Sequence, residues 1–311
     1  DQYDSWVIAQ TLRTDQSELC SWQPGSELLQ QMRAGVSYGE TLTQERVRIA
    51  NRLQDILIRF YPAALQVFQS WPTQIICHFL LSYPTPDAAA AVELDEFRRF
   101  CREHRYSRPK LVAGCYRRLQ EVQPAPLPGL VTAYSAQVMQ WAQAWLENEQ
   151  HRQANLQQLN QLFVQHPDAA TFASLPGAGD WLAPALLVKF GEDRSRFPSA
   201  GALQALAGTC PVTRQSGKRH SVHFRRSCDH SFRQFTQQWA RSAVKKSEWA
   251  ASYRNRVFSR HRSHSRADRS LANRLPATIC LTGSETAHQR NLEVRLNGAM
   301  GRRFTTGLNL D

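Results

Sequence analysis

No stretch of this 311-residue chain approaches the roughly 18 consecutive apolar residues of a membrane-spanning helix. The strongest apolar run, around Ile75 to Leu81, is interrupted by Cys77 and His78. The first residues lack the basic-then-apolar order of a secretory signal. Seven cysteines contain no CxxC pair, so a disulfide framework is disfavoured and a reducing, cytoplasmic setting is expected. There is no GxSxG elbow, which removes the usual serine-hydrolase turn, and no supersecondary repeat, which removes solenoids. The chain also lacks an initial methionine, and its start at Asp1 reads as a fragment.

Acid is scarce in one region. Residues 1–206 hold 18 Lys and Arg against 20 Asp and Glu, whereas residues 207–311 hold 20 against 6. The whole excess of the +12 net charge therefore lies in the last third. Such a field attracts a polyanion, because each phosphate contacted releases condensed counterions. Phe224, Phe232, Phe235, Trp239, Trp249 and Tyr253 are interleaved with these charges, which suits packing or base stacking better than a solvated tail. Nucleic acid is the expected partner. Anionic membrane ranks lower, since no strongly apolar helix face accompanies the basic run.

The periodicity predicts a mainly α protein. Asp1 and Asp4, three apart, precede a helical apolar pattern, so both carboxylates fall on one face. Leu42, Ile49, Leu53, Ile56, Leu57 and Phe60 predict a helix ended by Pro62. Further helices are expected over about 65–81, from Pro86 to about His104 with Thr85 as cap, and over 109–121. After the Pro-rich connector 124–129, a long helical stretch runs over about 131–164. Its polar middle, Glu147 to Asn155, suggests an exposed hairpin or a coiled-coil arm that serves a dimer, or equally an ordinary long surface helix. Leu175-Pro-Gly-Ala-Gly179 is a tight turn ahead of a helix from Trp181 to about Phe190, with Asp180 as cap. Its glycines, Gly177 and Gly179, allow close backbone approach to a phosphate, as in helix-hairpin-helix turns.

Several residues could carry chemistry. Ser216 lies in Arg214-Gln-Ser-Gly-Lys-Arg219, where Lys218 and Arg219 could offset a phosphate's charge. Ser242-Ala-Val-Lys245 has SxxK spacing but no SDN or KTG companion. His220, His223, Cys228 and His230 suggest zinc, yet they sit among arginines that repel a cation. Cys101 and His104 read as a helix face. Asp1 and Asp4 could bind Mg²⁺ only with carboxylates from elsewhere.

The ordered set Leu175-Pro-Gly-Ala-Gly-Asp-Trp-Leu-Ala-Pro, Arg196-Phe-Pro-Ser-Ala and Leu206 to Arg219 resembles the carboxy-terminal domain of the IS116/IS110/IS902-type insertion-sequence transposases. Arg225-Arg226, Phe232-Arg233 and Trp249 to Tyr253 continue the pattern. Asp1, Asp4, Ile8 and Ala9 match the end of the family's amino-terminal domain, which has a ribonuclease-H-like (RuvC-like) fold and a DEDD metal site. The resemblance implies four regions: a remnant of the DEDD domain at 1–27, a helical and coiled-coil region at 28–166, a serine-containing transposase domain at 167–279, and a divergent tail at 280–311.

It further implies that Ser216 attacks a DNA phosphodiester and that Asp1 and Asp4 are two of four Mg²⁺ ligands. Gly177, Gly179, Arg214, Lys218, Arg219, Arg225, Arg226 and Arg233 would meet nucleic acid. A structured guide RNA would pair with the DNA, the protein would form a homodimer or tetramer, and it would act at the bacterial nucleoid without a membrane. The first Asp and the Glu of the DEDD set have no counterpart here, so this copy is expected to be partial, truncated at the amino end. Two alternatives remain: a catalytically inactive, nucleic-acid-binding remnant, and a repair protein that uses only the glycine turn.

Overall fold

The computed structural model describes residues 2–17, 23–68, 70–121, 127–217 and 219–262, with backbone only for 219, 220 and 256–262. Among these the protein is mainly α-helical, as the periodicity predicts. The helices, in chain order, are α1 (Gln2–Asp15), α2 (Glu27–Phe60), α3 (Ala63–Val67), α4 (Gln74–Ser82), α5 (Pro86–Ala90), α6 (Leu94–Glu103) and α7 (Val112–Leu119). There follow α8 (Pro128–Phe163), α9 (Ala169–Ala173), α10 (Gly179–Phe190), α11 (Ala200–Leu206), α12 (His230–Lys246) and α13 (Glu248–Arg262). Strands β1 (Val212–Ser216) and β2 (Arg219–His223) form an antiparallel pair between α11 and α12. The chain divides into two compact units, one of residues 37–157 and one that joins residues up to Val36 with those from Gln158 onward.

The 37–157 unit is built on an aromatic core. Phe60, Tyr61, Phe79 and Phe97 are fully buried, and Phe68 meets Phe79 edge-on at 5.9 Å. Its helices are more broken than the periodicity predicts. The helix expected over 65–81 is two, α3 and α4, because Trp71-Pro72 lies between them and proline both lacks a donor N–H and restricts its predecessor. Thr85 does cap α5, its hydroxyl accepting from the Ala88 N–H at 3.2 Å. That helix stops at Ala90, since Val92 turns into the core and its carbonyl accepts from the Tyr116 hydroxyl at 3.0 Å. The helix expected over 109–121 opens as a 3₁₀ turn, Pro109–Leu111.

The long stretch is one 36-residue helix, α8, and not a hairpin, and its polar middle is covered only in part. Asn148 and Glu149 are buried. Within this unit α2 and α8 run antiparallel: Phe60 packs on Tyr134, Arg52 lies over the Trp141 ring at 4.9 Å, and Arg46 reaches Glu149 at 2.9 Å. Arg152 also binds Glu149, at 2.7 and 2.9 Å, and Gln153 donates to it at 3.1 Å. Periodicity could not foresee this, because a buried carboxylate is tolerable only when a cation on another helix meets it.

Burial alone would push the Glu149 carboxyl up, but Arg152, Arg46 and Gln153 outweigh it and hold the pKa at about 2. A depressed acid stabilises above its unfolded pKa and loses that contribution as pH falls through the folded one. Discounting for the part-exposed arginines, we expect Glu149→Gln to cost about 2 kcal/mol at pH 7. The gap from wild type in urea midpoint should narrow by about half at pH 3, between the unfolded and folded pKa values.

In the other unit Phe190 is edge-on to Phe172 at 5.4 Å and to Phe232 at 5.7 Å, tying α9, α10 and α12 together. Leu29 and Met32 of α2 and Leu159 and Phe163 of α8 complete this core. Glu192 accepts from the Ser26 backbone N–H at 2.6 Å and lies 3.3 Å from His166 Nε2. By contrast, α1 has no buried residue and exposes Tyr3, Trp6, Ile8 and Leu12.

Candidate nucleic-acid interface

The site is assembled on the packing of α10 against α12. Between α9 and α10 the turn Leu175 to Gly179 places Gly177 at φ +75° and Gly179 at φ +59°, the left-handed region that glycine enters without a Cβ penalty. The two glycines have different surroundings. A Cβ on Gly177 would stand 2.6 Å from the Ser242 carbonyl carbon and 2.8 Å from its oxygen, so Gly177 lets the turn lie directly on the α12 backbone. Trp239, itself buried, fixes the same turn by donating from Nε1 to the Pro176 carbonyl at 3.1 Å. A Cβ on Gly179 would meet nothing within 4 Å, and only there does the turn offer an open backbone face. The helix begins at Gly179 and not at Trp181. Ala178 precedes it without a side-chain cap, and Asp180 sits inside the first turn, where a negative charge favours the helix dipole.

The antiparallel strands project a cationic hairpin from this platform. Residues 207–228 carry five Lys and Arg and no Asp or Glu. Ser216 ends β1, pairs in register with Arg219, and is followed by Gly217 at φ +55°. Residues 213–217 are all exposed, so the Ser216 hydroxyl is open to a large ligand. Strand alternation sets Arg214 and Ser216 on one face with Ser221 and His223 across the ladder. There Ser221 Oγ lies 2.9 Å from His223 Nε2, a pairing that spacing alone did not signal.

The hairpin's base is braced by polar contacts. The Asp229 N–H donates to the Leu206 carbonyl at 2.9 Å, and the Asp229 side chain caps α12 by accepting from Phe232 N–H at 2.9 Å. Lys189 of α10 donates to the same carboxylate at 2.9 and 3.2 Å. Burial pushes the Asp229 carboxyl up, but the Phe232 amide and Lys189 prevail and its pKa is lowered. We expect Asp229→Ala to cost about 2 kcal/mol by losing cap and ion pair together. Asp229→Asn, which can keep the cap, should cost about half as much in chemical denaturation.

The remaining sequence-derived site residues divide by surroundings. Arg214 and Arg226 are exposed, and Arg225 is half-buried. Arg233 donates to the Arg225 carbonyl and lies over the Phe224 ring at 4.2 Å, so it braces the strand leaving the hairpin. Gly208, at φ +62°, leaves the room that Arg233 and Cys228 occupy. Asp1, Lys218 and the side chains of Arg219 and His220 lie outside the described residues. Asp4 is exposed in the first turn of α1. Among the described residues no group of three or more His, Cys, Asp and Glu side chains could hold a metal ion, so Asp4 alone does not make a metal site. No described helix is long and apolar enough to cross a membrane.

Comparison with known proteins agrees with this arrangement. The family model "Transposase IS116/IS110/IS902 family" matches residues 169–255, which contain the glycine turn, the hairpin and α12. The DEDD transposase model of the same group matches residues 1–62 and carries with it the suggestion of a divalent metal. The "Mini-circle putative transposase for IS117" of Streptomyces coelicolor is 29% identical over 287 residues, 88% of this chain and 68% of that protein. The insertion element IS110 43.6 kDa protein of the same species is 28% identical over 86% of this chain and 66% of its own length. The insertion element IS116 44.8 kDa protein of Streptomyces clavuligerus is 26% identical over 72% of this chain, which spans 56% of that relative. Two separate regions of the chain thus match family models of the IS116/IS110/IS902 transposases, and the serine hairpin lies inside the second.

Proposed function

We propose that this chain cuts and rejoins DNA strands through Ser216, moving an insertion sequence. The observation that carries the reading is the placement of an exposed serine at the end of β1, in a cationic hairpin with no acid from residue 207 to 228. The Ser216 oxygen would attack a backbone phosphorus, forming a phosphoserine ester while the strand's sugar oxygen leaves and takes a proton. The new ester conserves the energy of the broken one, so a second sugar hydroxyl can reverse the step on another strand. Arg214 and its hairpin neighbours would offset charge building on the phosphate. Gly179, with the first N–H groups of α10, would grip the backbone in the manner of a helix-hairpin-helix turn.

The rest of the reading follows the family. Asp1 and Asp4 would supply two ligands to Mg²⁺ in a ribonuclease-H-like domain, and the metal would activate oxygen and neutralise phosphate charge. A guide RNA would select the sites by base pairing, leaving the protein to hold backbones. A homodimer or tetramer would bring two strands together.

The test is incubation of the chain with guide RNA and paired DNA sites, followed by a search for covalent protein–DNA adducts. Adducts lost in Ser216→Ala support the reading. A second reading, nucleic-acid binding without cleavage, predicts binding with no adduct.

A further inference from the structure

The 37–157 unit has a basic centre of its own. Residues 98–118 hold eight of the 18 Lys and Arg found before residue 207, against one acid, Glu103. Among the eight, Arg118 donates to the Gln66 and Val67 carbonyls at 2.6 and 2.7 Å, and Arg98 pairs with Asp95 at 3.0 Å. Arg102, Arg105 and Lys110 are exposed and form no ion pair among the described residues.

These three side chains border one cavity of about 640 Å³ between α6 and the turn before α7. A neighbouring cavity of about 350 Å³ shares Arg105 and Tyr106 with it. The second cavity is lined by His104 and by Thr73 just before α4, whose hydroxyl oxygen is buried with no hydrogen-bond partner among the described residues. Arg105 is at φ +49°, just past the end of α6, a position that glycine normally fills. An arginine there bears backbone strain that a glycine would not, and strain of this kind gathers at binding sites. It places a cation on the rim common to both cavities.

We infer that Arg102, Arg105 and Lys110 form a second docking surface, in the 37–157 unit, for the phosphate backbone of double-stranded DNA. The DNA assignment rests on the chain being a transposase, but not on Ser216 chemistry. Charge complementarity supplies the argument: the surface is cationic, and its arginine donors suit phosphate oxygens.

Lys110 makes the test direct, since it is the only lysine before Lys189. Amine labelling of the full chain, read by mass spectrometry, should slow at Lys110 by about threefold or more when a 30-base-pair duplex of arbitrary sequence is added at low salt. Ser216→Ala should show the same protection. Arg105→Gly should unfold at higher denaturant, because it relieves the strained backbone, yet bind the duplex about fivefold more weakly at 0.15 M salt. Unchanged labelling at Lys110 while Lys245 and Lys246 are protected would overturn the inference. So would protection by a structured RNA of equal length but not by the duplex, or an Arg105→Gly variant that binds as wild type does.

Discussion

Gly177→Ala is expected to destabilise the carboxy-terminal unit by about 3 kcal/mol or more, among the largest single-residue effects in the chain. Two costs add. Alanine at φ +75° is strained by about 1–2 kcal/mol, and its Cβ would press on the Ser242 carbonyl carbon at 2.6 Å. That neighbour is helix backbone and cannot swing away, so α10 and α12 must separate, costing roughly a further 1–3 kcal/mol. Gly179→Ala meets the strain without the collision and should cost only about 1 kcal/mol. Denaturant unfolding followed by the fluorescence of buried Trp239 checks the pair. Equal midpoints for the two variants would show that Gly177 is not needed for helix contact. The contrast also separates roles that the sequence merged, since both glycines read as phosphate contacts and only Gly179 has an open face.

Ser216→Ala carries the other large effect, and in the opposite sense: activity without stability. Because residue 216 is exposed in a hairpin, losing its hydroxyl should move the unfolding free energy by less than about 0.5 kcal/mol. Adduct formation and strand joining should fall by about 10³-fold or more, since no other group can replace a departed nucleophile at that position. Ser221 is the informative control. It lies on the same face, 2.9 Å from His223 Nε2, and would be the alternative nucleophile were the assignment wrong. Ser221→Ala should retain the adduct. A Ser216→Ala protein that also unfolds early would mean that the hairpin needs this side chain for its own fold.

Much of this was legible before any coordinates. Helix type and the cap at Thr85 follow local rules: an oxygen-bearing side chain stands just ahead of an apolar repeat. The charge imbalance likewise marked the last third of the chain as its basic region. What could not be read depends on contacts between distant segments. Glu149 looked like part of a solvated face, because Arg46 lies 103 positions away. Arg233 looked like a free cation, whereas the packing at Gly208 and Phe224 makes it a brace. The Arg102, Arg105 and Lys110 group was hidden by the near-neutral sum over residues 1–206, in which 19 acids elsewhere cancel a local excess. Position decides a field, and a total over 206 residues averages it away.

A covalent serine–phosphate bond is the central step of the proposed reaction. With guide RNA and paired DNA sites present, digestion and mass spectrometry of the trapped protein should find one nucleotide phosphate on the peptide containing Ser216, absent from Ser216→Ala. A phosphate adduct that survives Ser216→Ala, or strand joining with no protein-linked phosphate at any time, would contradict it.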